Sequence, residues 1–310
     1  MRSIHPWPEL DFYRLKPTLE SMHLWTQIVG KIRLRQMPWI NHSWHVTLYV
    51  SPTGLSTGSI PYDRGIFQID IDIIRNRLTI HTSEAEDATV ELYSRSVASF
   101  YEELMTRFRQ LNIPIDIYQK PNEMAVTTPF SEDYNQRDYD PGQMLKYWQA
   151  LIRVHVVFTR FRAGFNGKVS PVHFFWGGFD LALTRFSGRK APLHPGGVPN
   201  IPDEVMQEAY SHEVSSCGFW PGSDAVPYPM FYSYCYPVAG GFDKQPVEPQ
   251  EAVYNYELGE FILPYKVVQQ SPDPDALLLS FLQSTFEAAV VAGHWPRDME
   301  CDLTRFQRAD

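Results

Sequence analysis

Three histidines in the stretch 168–222 are the first residues of this sequence that suggest chemistry. His173, His194 and His212 follow one another at intervals of 21 and 18 residues. Imidazole ligands that leave one position open would suit zinc or another divalent metal. The spacing matches no established ligand pattern, because the chain contains neither HExxH nor HxxxH. A metal site is therefore one hypothesis, and three histidines that pack separately are the other.

General acid–base catalysis needs fewer groups, since one histidine and one carboxylate in a partly dry cleft are enough. The candidate catalytic residues are His173, His212, Glu213 and Asp180. Cys217 could act as a nucleophile only beside a positioned base, and a buried structural cysteine is the simpler interpretation. No GxSxG nucleophile elbow occurs in the sequence.

The same stretch offers side chains that could bind a substrate. A tryptophan beside a tight turn can stack on a planar or sugar-like ligand, or it can close the end of a strand. Two such corners occur, FWGG and FWPG, and cations nearby could hold an anionic substrate. The candidate binding residues are Trp176, Trp220, Arg185, Arg189, Lys168 and His45, with Lys31 and Arg33 as further cations.

The elements that must position these residues indicate an α+β fold of mainly antiparallel sheets backed by helices. No phosphate-binding loop of the GxGxxG or GxxxxGKS type follows a strand. Apolar spacing of three and four residues predicts helices, and alternation predicts strands. The predicted helices cover 17–37, 95–111, 144–165 and 272–293, and the predicted strands include 65–74, 113–118 and 172–188.

An order of helix, about four strands and helix occurs twice along the chain. This predicts an N-terminal half at 1–125 and a C-terminal half at 126–310, which could still pack as one compact unit. LWTQIVGKIRL (24–34) aligns with YWQALIRVHVV (147–157), although few residues are identical. An internal duplication is therefore a hypothesis. It would give His45 and His173 similar positions, with a cleft between the halves.

The amino-acid composition is that of a soluble globular protein and argues against several other classes. The 310 residues are 44% hydrophobic and 20% charged, as in ordinary soluble globular proteins, and 14% aromatic, which favours a dense core or an aromatic-lined cleft. A net charge of −9 without a basic run argues against nucleic-acid binding. Three scattered cysteines favour a reducing cytoplasm. No signal peptide or membrane-spanning run is evident, and the oligomeric state is left open.

Several longer blocks carry a resemblance to a known family. They are GKIRL, NHSWHVTLYV, RSVASFY, SPVHFFWGGFDLALTRFSGR and YSHEVSSCGFWPG, which lie between about Trp7 and Trp295. With these blocks the chain resembles an uncharacterised bacterial family, a domain of unknown function. The resemblance implies a soluble bacterial protein whose whole length is the family unit, and it assigns no activity and no catalytic residue.

Three functions remain compatible with the sequence. The first is a cytoplasmic enzyme that acts on a small polar or anionic metabolite through histidine and carboxylate, with or without a divalent metal. The second is a small-molecule binding protein with an aromatic and arginine-lined pocket. The third is an interaction protein whose aromatic residues form the core. No cofactor besides a metal is indicated.

Overall fold

The computed structural model describes residues 6–124, 126–198 and 201–299. Within these ranges the chain forms six helices and two antiparallel sheets, which confirms the predicted α+β fold. The helices are α1 (Phe12–Gln36), α2 (Val97–Gln110), α3 (Pro141–Ala163), α4 (Asp203–Ala209), α5 (Tyr265–Gln269) and α6 (Pro274–Gly293).

The N-terminal sheet has the order β1-β2-β4-β5-β6, with β3 paired to β4, and the C-terminal sheet has the order β11-β12-β10-β9-β8-β7. These two orders differ, and the internal duplication is not confirmed. The N-terminal strands are β1 (Tyr49–Ser51), β2 (Gly54–Ser56), β3 (Ile60–Tyr62), β4 (Gly65–Asp72), β5 (Arg77–Thr82) and β6 (Asp87–Glu91). The C-terminal strands are β7 (His173–Phe175), β8 (Asp180–Lys190), β9 (His212–Trp220), β10 (Met230–Tyr236), β11 (Val253–Asn255) and β12 (Glu260–Pro264).

Two predicted elements differ from the structure. Helix α1 begins at Phe12, ahead of the predicted start, because the Asp11 side chain accepts hydrogen bonds from the amides of Tyr13 and Arg14. Pro17 therefore lies inside the helix and does not begin it. The predicted strand at 113–118 is wrong, since this segment joins neither sheet. The carbonyl of Pro114 instead accepts a hydrogen bond from the Gln36 side chain, at 3.1 Å.

One hydrophobic core runs through both predicted halves. Helices α1 and α3 pack against each other at its centre, α2 covers the N-terminal sheet, and α3, α5 and α6 cover one face of the C-terminal sheet. The backbones of Leu48 and Phe174 exchange two hydrogen bonds, at 2.9 and 2.8 Å. This bridge brings the segment before β1 next to β7, so residues far apart in sequence can line one pocket.

Helix α6 is long and apolar enough, by length and composition, to cross a membrane, with a mean hydropathy of 1.5. Core helices of soluble proteins meet the same criterion. Phe281, Leu282 and Phe286 of α6 are buried, and the helix packs against α3 and β10. Packing in the core therefore accounts for much of its apolar surface.

Candidate functional site

The second face of the C-terminal sheet forms the floor of a pocket of about 510 Å3, which we call the aromatic pocket. Successive strand residues point to opposite faces, so alternate residues of β8 and β9 line the floor while their neighbours face α3 and α6. The floor residues are Asp180, Ala182, Thr184, Phe186, Val214, Ser216, Tyr232 and Tyr234.

Asp180, the first residue of β8, lies at one end of this floor. The hydroxyl of Tyr232, two strands away on β10, donates a short hydrogen bond to Asp180 Oδ2. Gly218 on the strand between them makes this possible, because a Cβ there would lie 2.2 Å from the Tyr232 ring. The ring therefore lies across the glycine, and any larger residue at 218 would displace it.

The next rung of the floor carries a row of hydroxyl groups. Thr184 and Ser216 lie opposite each other on β8 and β9, and their hydroxyl oxygens are 2.9 Å apart. The hydroxyl of Tyr234 is 2.8 Å from that of Tyr210, which follows α4. Each hydroxyl can both donate and accept a hydrogen bond. The row can therefore bind either donor or acceptor groups of a ligand.

A second carboxyl group reaches the same end of the pocket from the segment 119–124. A Cβ on Gly177 would lie 2.0 Å from Glu123 Oε1, so the glycine makes room for this carboxylate. A Cβ on Gly178 would lie 2.9 Å from Asp180 Oδ1 and 3.7 Å from Glu123 Oε2. The two carboxyl groups therefore converge on the Gly177–Gly178 corner between β7 and β8.

The surroundings raise the pKa values of these acids. Burial raises the pKa of Asp180 to about 6, although the Tyr232 hydrogen bond opposes the change. Glu123 as a residue is exposed, but burial of its carboxyl group, with a smaller contribution from Asp180, raises its pKa to about 7. Glu260, at the start of β12, has its pKa raised to about 7 by burial and by Asp180. Because the three carboxyl groups would carry like charges in a poorly solvated space, the ionisation of each one is disfavoured.

One face of α1 fixes this end of the pocket. His23, Gln27 and Lys31 recur at the four-residue spacing that places them in line. His23 Nε2 donates to the carbonyl of Gly177 at 2.8 Å, and burial lowers the pKa of this histidine to about 4. Gln27 donates to the carbonyl of Asn122 at 2.7 Å and accepts from its amide at 3.0 Å. The helix thus holds both the corner and the segment that carries Glu123.

Lys31 is a buried cation in the pocket wall. Its ammonium donates to the side-chain oxygen of Asn122 and lies 5.3 and 5.7 Å from the ring centroids of Tyr118 and Trp176. Among the ion pairs between described residues, none involves Lys31. Burial lowers its pKa to about 8. In a substantial fraction of the molecules the Lys31 amine is therefore neutral under mildly alkaline conditions.

Trp176 forms the wall between α1 and the floor. Its indole Nε1 donates to the carbonyl of Val46 at 2.6 Å. A Cβ on Gly30 would lie 2.2 Å from Nε1, so the ring rests directly on the α1 backbone. The tryptophan is locked in place, as a stacking surface for a ligand should be.

Helix α4 covers the opposite side of the pocket, to which it contributes Val205 and Met206. None of its residues is buried. It is held chiefly at the turn that contains His42, whose Nδ1 donates to the carbonyls of Glu208 and Ala209 at 3.1 and 3.2 Å. Because α4 buries so little apolar surface, we expect it to move more readily than the floor.

Of the residues proposed from the sequence, Asp180, Trp176 and Lys31 line this pocket. The three histidines do not meet. His173 is buried beside Trp44 and Tyr49 with no hydrogen-bond partner among the described residues, and burial, with Arg33 and Arg162 nearby, lowers its pKa to about 3. His194 stacks on Tyr210, and His212 begins β9. The described residues contain no group of histidine, cysteine and carboxylate side chains that could hold a metal.

Three proposed polar residues have structural environments outside the pocket. Arg185 is buried on the helix side of β8, with its guanidinium 3.5 and 4.3 Å from the rings of Phe161 and Phe286. Glu213 accepts hydrogen bonds from Ser187 and Arg189, at 2.7 and 2.8 Å. Arg189 also donates to the carbonyls of residues 293 and 294 at the end of α6. Strand alternation explains the separation of Arg185 from Asp180, because positions 180 and 185 of β8 differ by an odd number and their side chains therefore point to opposite faces of the sheet.

The remaining candidates lie at the edges of the pocket or beyond it. The Lys168 ammonium donates to His42 Nε2 at 2.6 Å. Lys168 therefore contacts the turn that holds α4. His45 is buried and accepts from the backbone amide of Ile40 at 3.3 Å. Trp220 lines a separate pocket of about 400 Å3 on the far side of the Gly177–Gly178 corner. Cys217 is buried, and burial raises the pKa of its thiol to about 12, which suits a structural role.

Sequence reasoning did not select Glu123, Tyr232 or the role of Gly218. Glu123 lies in a polar connecting segment, and no local pattern separates it from a solvated acid. Tyr232 stands among several tyrosines in FYSYCY. One signal was present, because Gly218 interrupts an otherwise regular strand, and an isolated strand glycine often marks a close approach by another group.

Taken together, the fold and the pocket define an α+β protein with two carboxyl groups at one end of an aromatic pocket. The model of a family of unknown function, DUF5996, matches residues 7–301, and the chain belongs to this family. No curated protein and no solved structure matches the chain.

Proposed function

We propose that the protein is an enzyme that transfers protons on a small molecule bound in the aromatic pocket. The observation that carries this proposal is the convergence of Asp180 and Glu123 on the Gly177–Gly178 corner. Two carboxyl groups with different environments supply a base and an acid at one place. In this proposal Glu123 is the second proton-transfer group, a role for which the sequence suggested a histidine.

The raised pKa values allow both carboxyl groups to exchange protons near neutral pH, and we assign the base to Asp180 and the acid to Glu123. Asp180, with a pKa of about 6, is mostly ionised at neutral pH and can accept a proton. Glu123, with a pKa of about 7, is still partly protonated and can donate one. The activity should therefore be greatest between about pH 6 and pH 7, where the base is ionised and the acid is not.

The walls indicate what kind of molecule would fit. Trp176, Phe175 and Trp44 offer flat apolar surfaces, which suit a planar or apolar portion of a ligand. The hydroxyl row on the floor and the acid end would take its polar groups. We propose a small metabolite with both parts. The free, buried Cys217 and Cys235 suit the cytoplasm as its location.

A comparison of wild type with Asp180→Asn tests the function. Each protein is incubated with a mixture of small metabolites at pH 6.5, and mass spectrometry follows what is consumed. We expect the wild type to convert at least one compound and D180N to convert it at least about a hundredfold more slowly. Asp63→Asn, which changes an exposed acid in the β3–β4 turn, should match the wild type. Conversion by D180N at the wild-type rate would contradict the proposal.

A non-catalytic binding protein is the second candidate, and the aromatic walls favour it. The same mixture distinguishes the two functions when binding is followed by thermal shift. A compound that stabilises both wild type and D180N but is consumed by neither would establish binding without catalysis.

A further inference from the structure

We propose that Lys31 is the attachment point for carbonyl substrates, which it binds as an imine. The inference deepens the proposed function and rests on it, since it names aldehydes or ketones as the substrate class for the same pocket. Lys31 projects from the C-terminal third of α1 into the pocket wall, where its ammonium contacts the rings of Trp176 and Tyr118.

The environment of Lys31 is unusual for a lysine in a folded protein. Buried lysines are normally paired with a carboxylate, whereas this ammonium contacts a neutral amide oxygen and two aromatic faces. An ammonium held without a counter-charge in poor solvation loses its proton more easily. The lowered pKa of about 8 is in accord with that geometry. Such desolvation is how lysines become nucleophiles towards carbonyl groups.

The chemistry balances with groups that line the pocket. The lone pair of Nζ attacks the carbonyl carbon, a C–N bond forms, and one amine proton moves to the oxygen to give a carbinolamine. Glu123, when protonated, gives its proton to the departing hydroxyl group, which leaves as water. The nitrogen lone pair forms the C=N bond, and the products are an iminium ion and the Glu123 carboxylate.

The iminium ion then explains why a second carboxyl group is present. Its positive charge acidifies the C–H bond on the adjacent carbon, and the Asp180 carboxylate lies beside Glu123 at the Gly177–Gly178 corner of the pocket. Asp180 can remove that proton, with the electron pair passing into the C–N system as an enamine. Return of a proton and hydrolysis by water would release the product and the free amine.

Reductive trapping on the full chain tests the proposal without knowledge of the natural substrate. The protein is treated at pH 7 with benzaldehyde, or with the smaller propionaldehyde, together with sodium cyanoborohydride, and peptides are mapped by mass spectrometry. We expect Lys31 to be alkylated about tenfold faster than the exposed Lys146 of α3, because burial without a counter-charge makes the Lys31 amine easier to deprotonate. Lys31→Arg should remove this label and leave that at Lys146 unchanged, while Glu123→Gln should slow labelling at Lys31 alone.

The possible results separate this inference from the proposed function. Labelling of Lys31 by both aldehydes no faster than of Lys146 would overturn the imine, even if D180N loses metabolite turnover. Rapid labelling of Lys31 in both wild type and Asp180→Asn supports the imine independently of the role of Asp180. If D180N then converts metabolites normally, the proton-transfer role of Asp180 is wrong and the carbonyl site stands.

Discussion

At the scale of single residues, the pocket depends on acids that stay protonated to unusually high pH. In the unfolded chain Asp180 loses its proton near the ordinary pKa of 3.8, whereas in the folded protein its pKa is about 6. The folded state therefore binds more protons across this window, and Asp180 destabilises the fold increasingly as the pH rises from 4 to 6. The buried Asp180 carboxylate therefore lowers the free energy of unfolding at neutral pH, a cost that is common at functional sites.

Asp180→Asn should remove that pH-dependent penalty. The free energy of unfolding of D180N relative to wild type should increase by up to about 3 kcal/mol between pH 4 and pH 6.5, since each pKa unit corresponds to about 1.36 kcal/mol. Urea unfolding at both pH values measures this difference. Asp63→Asn serves as the control, and a D180N difference that is the same at both pH values would show that the pKa of Asp180 is not raised.

At the scale of elements, helix α1 and its neighbours position the site through close approaches of backbone and ring. Gly30→Ala would ordinarily stabilise a helix by about 1 kcal/mol. Here the added methyl group would overlap the Trp176 indole, so we expect a net loss of about 2 kcal/mol and weaker ligand binding. Thermal unfolding and tryptophan fluorescence report the two effects. Gly240→Ala, where a Cβ meets nothing within 4 Å, should change neither.

Helix α4 should respond to the loss of its attachment at His42. His42 has a positive φ of 58°, which asparagine tolerates, so His42→Asn removes the imidazole contacts with little backbone strain. Amide hydrogen exchange in 203–209 should become about tenfold faster, because each lost hydrogen bond is worth ~1 kcal/mol. His81→Asn, at an exposed position near the end of β5, provides the comparison. Unchanged exchange in H42N would mean that other contacts hold α4.

The sequence predicted more of the elements than of the site. Regular apolar spacing located α2, α3 and α6 and the strands around 65–74 and 172–188, because burial of one face leaves a periodic trace in the sequence. Strand alternation in β8 also separates Arg185 from Asp180, and the sequence alone is enough to predict this separation. Glu123 could not be found in this way, since its position depends on α1 side chains that hold the segment 119–124 against the Gly177–Gly178 corner.

At the scale of the whole molecule, the two predicted halves share one core. Helices α1 and α3 pack together, and the Leu48–Phe174 bridge links β7 to the segment before β1. We therefore expect one cooperative unfolding transition, with the same midpoint by far-ultraviolet circular dichroism and by tryptophan fluorescence. Residues 1–125 expressed alone should not fold. Two separated transitions, or a folded 1–125 fragment, would instead support independent domains.

If Asp180 and Glu123 act as proposed, both carboxyl groups of the aromatic pocket hold their protons close to neutral pH. Titration of the side-chain carboxyl carbons by 13C nuclear magnetic resonance measures this in the ligand-free protein. We predict that Asp180 and Glu123 titrate with apparent pKa values of about 6 and about 7, and that Asp180→Asn lowers the value for Glu123 because a neighbouring negative charge is removed. Ordinary values near 4 for both groups, unchanged by the substitution, would contradict the account.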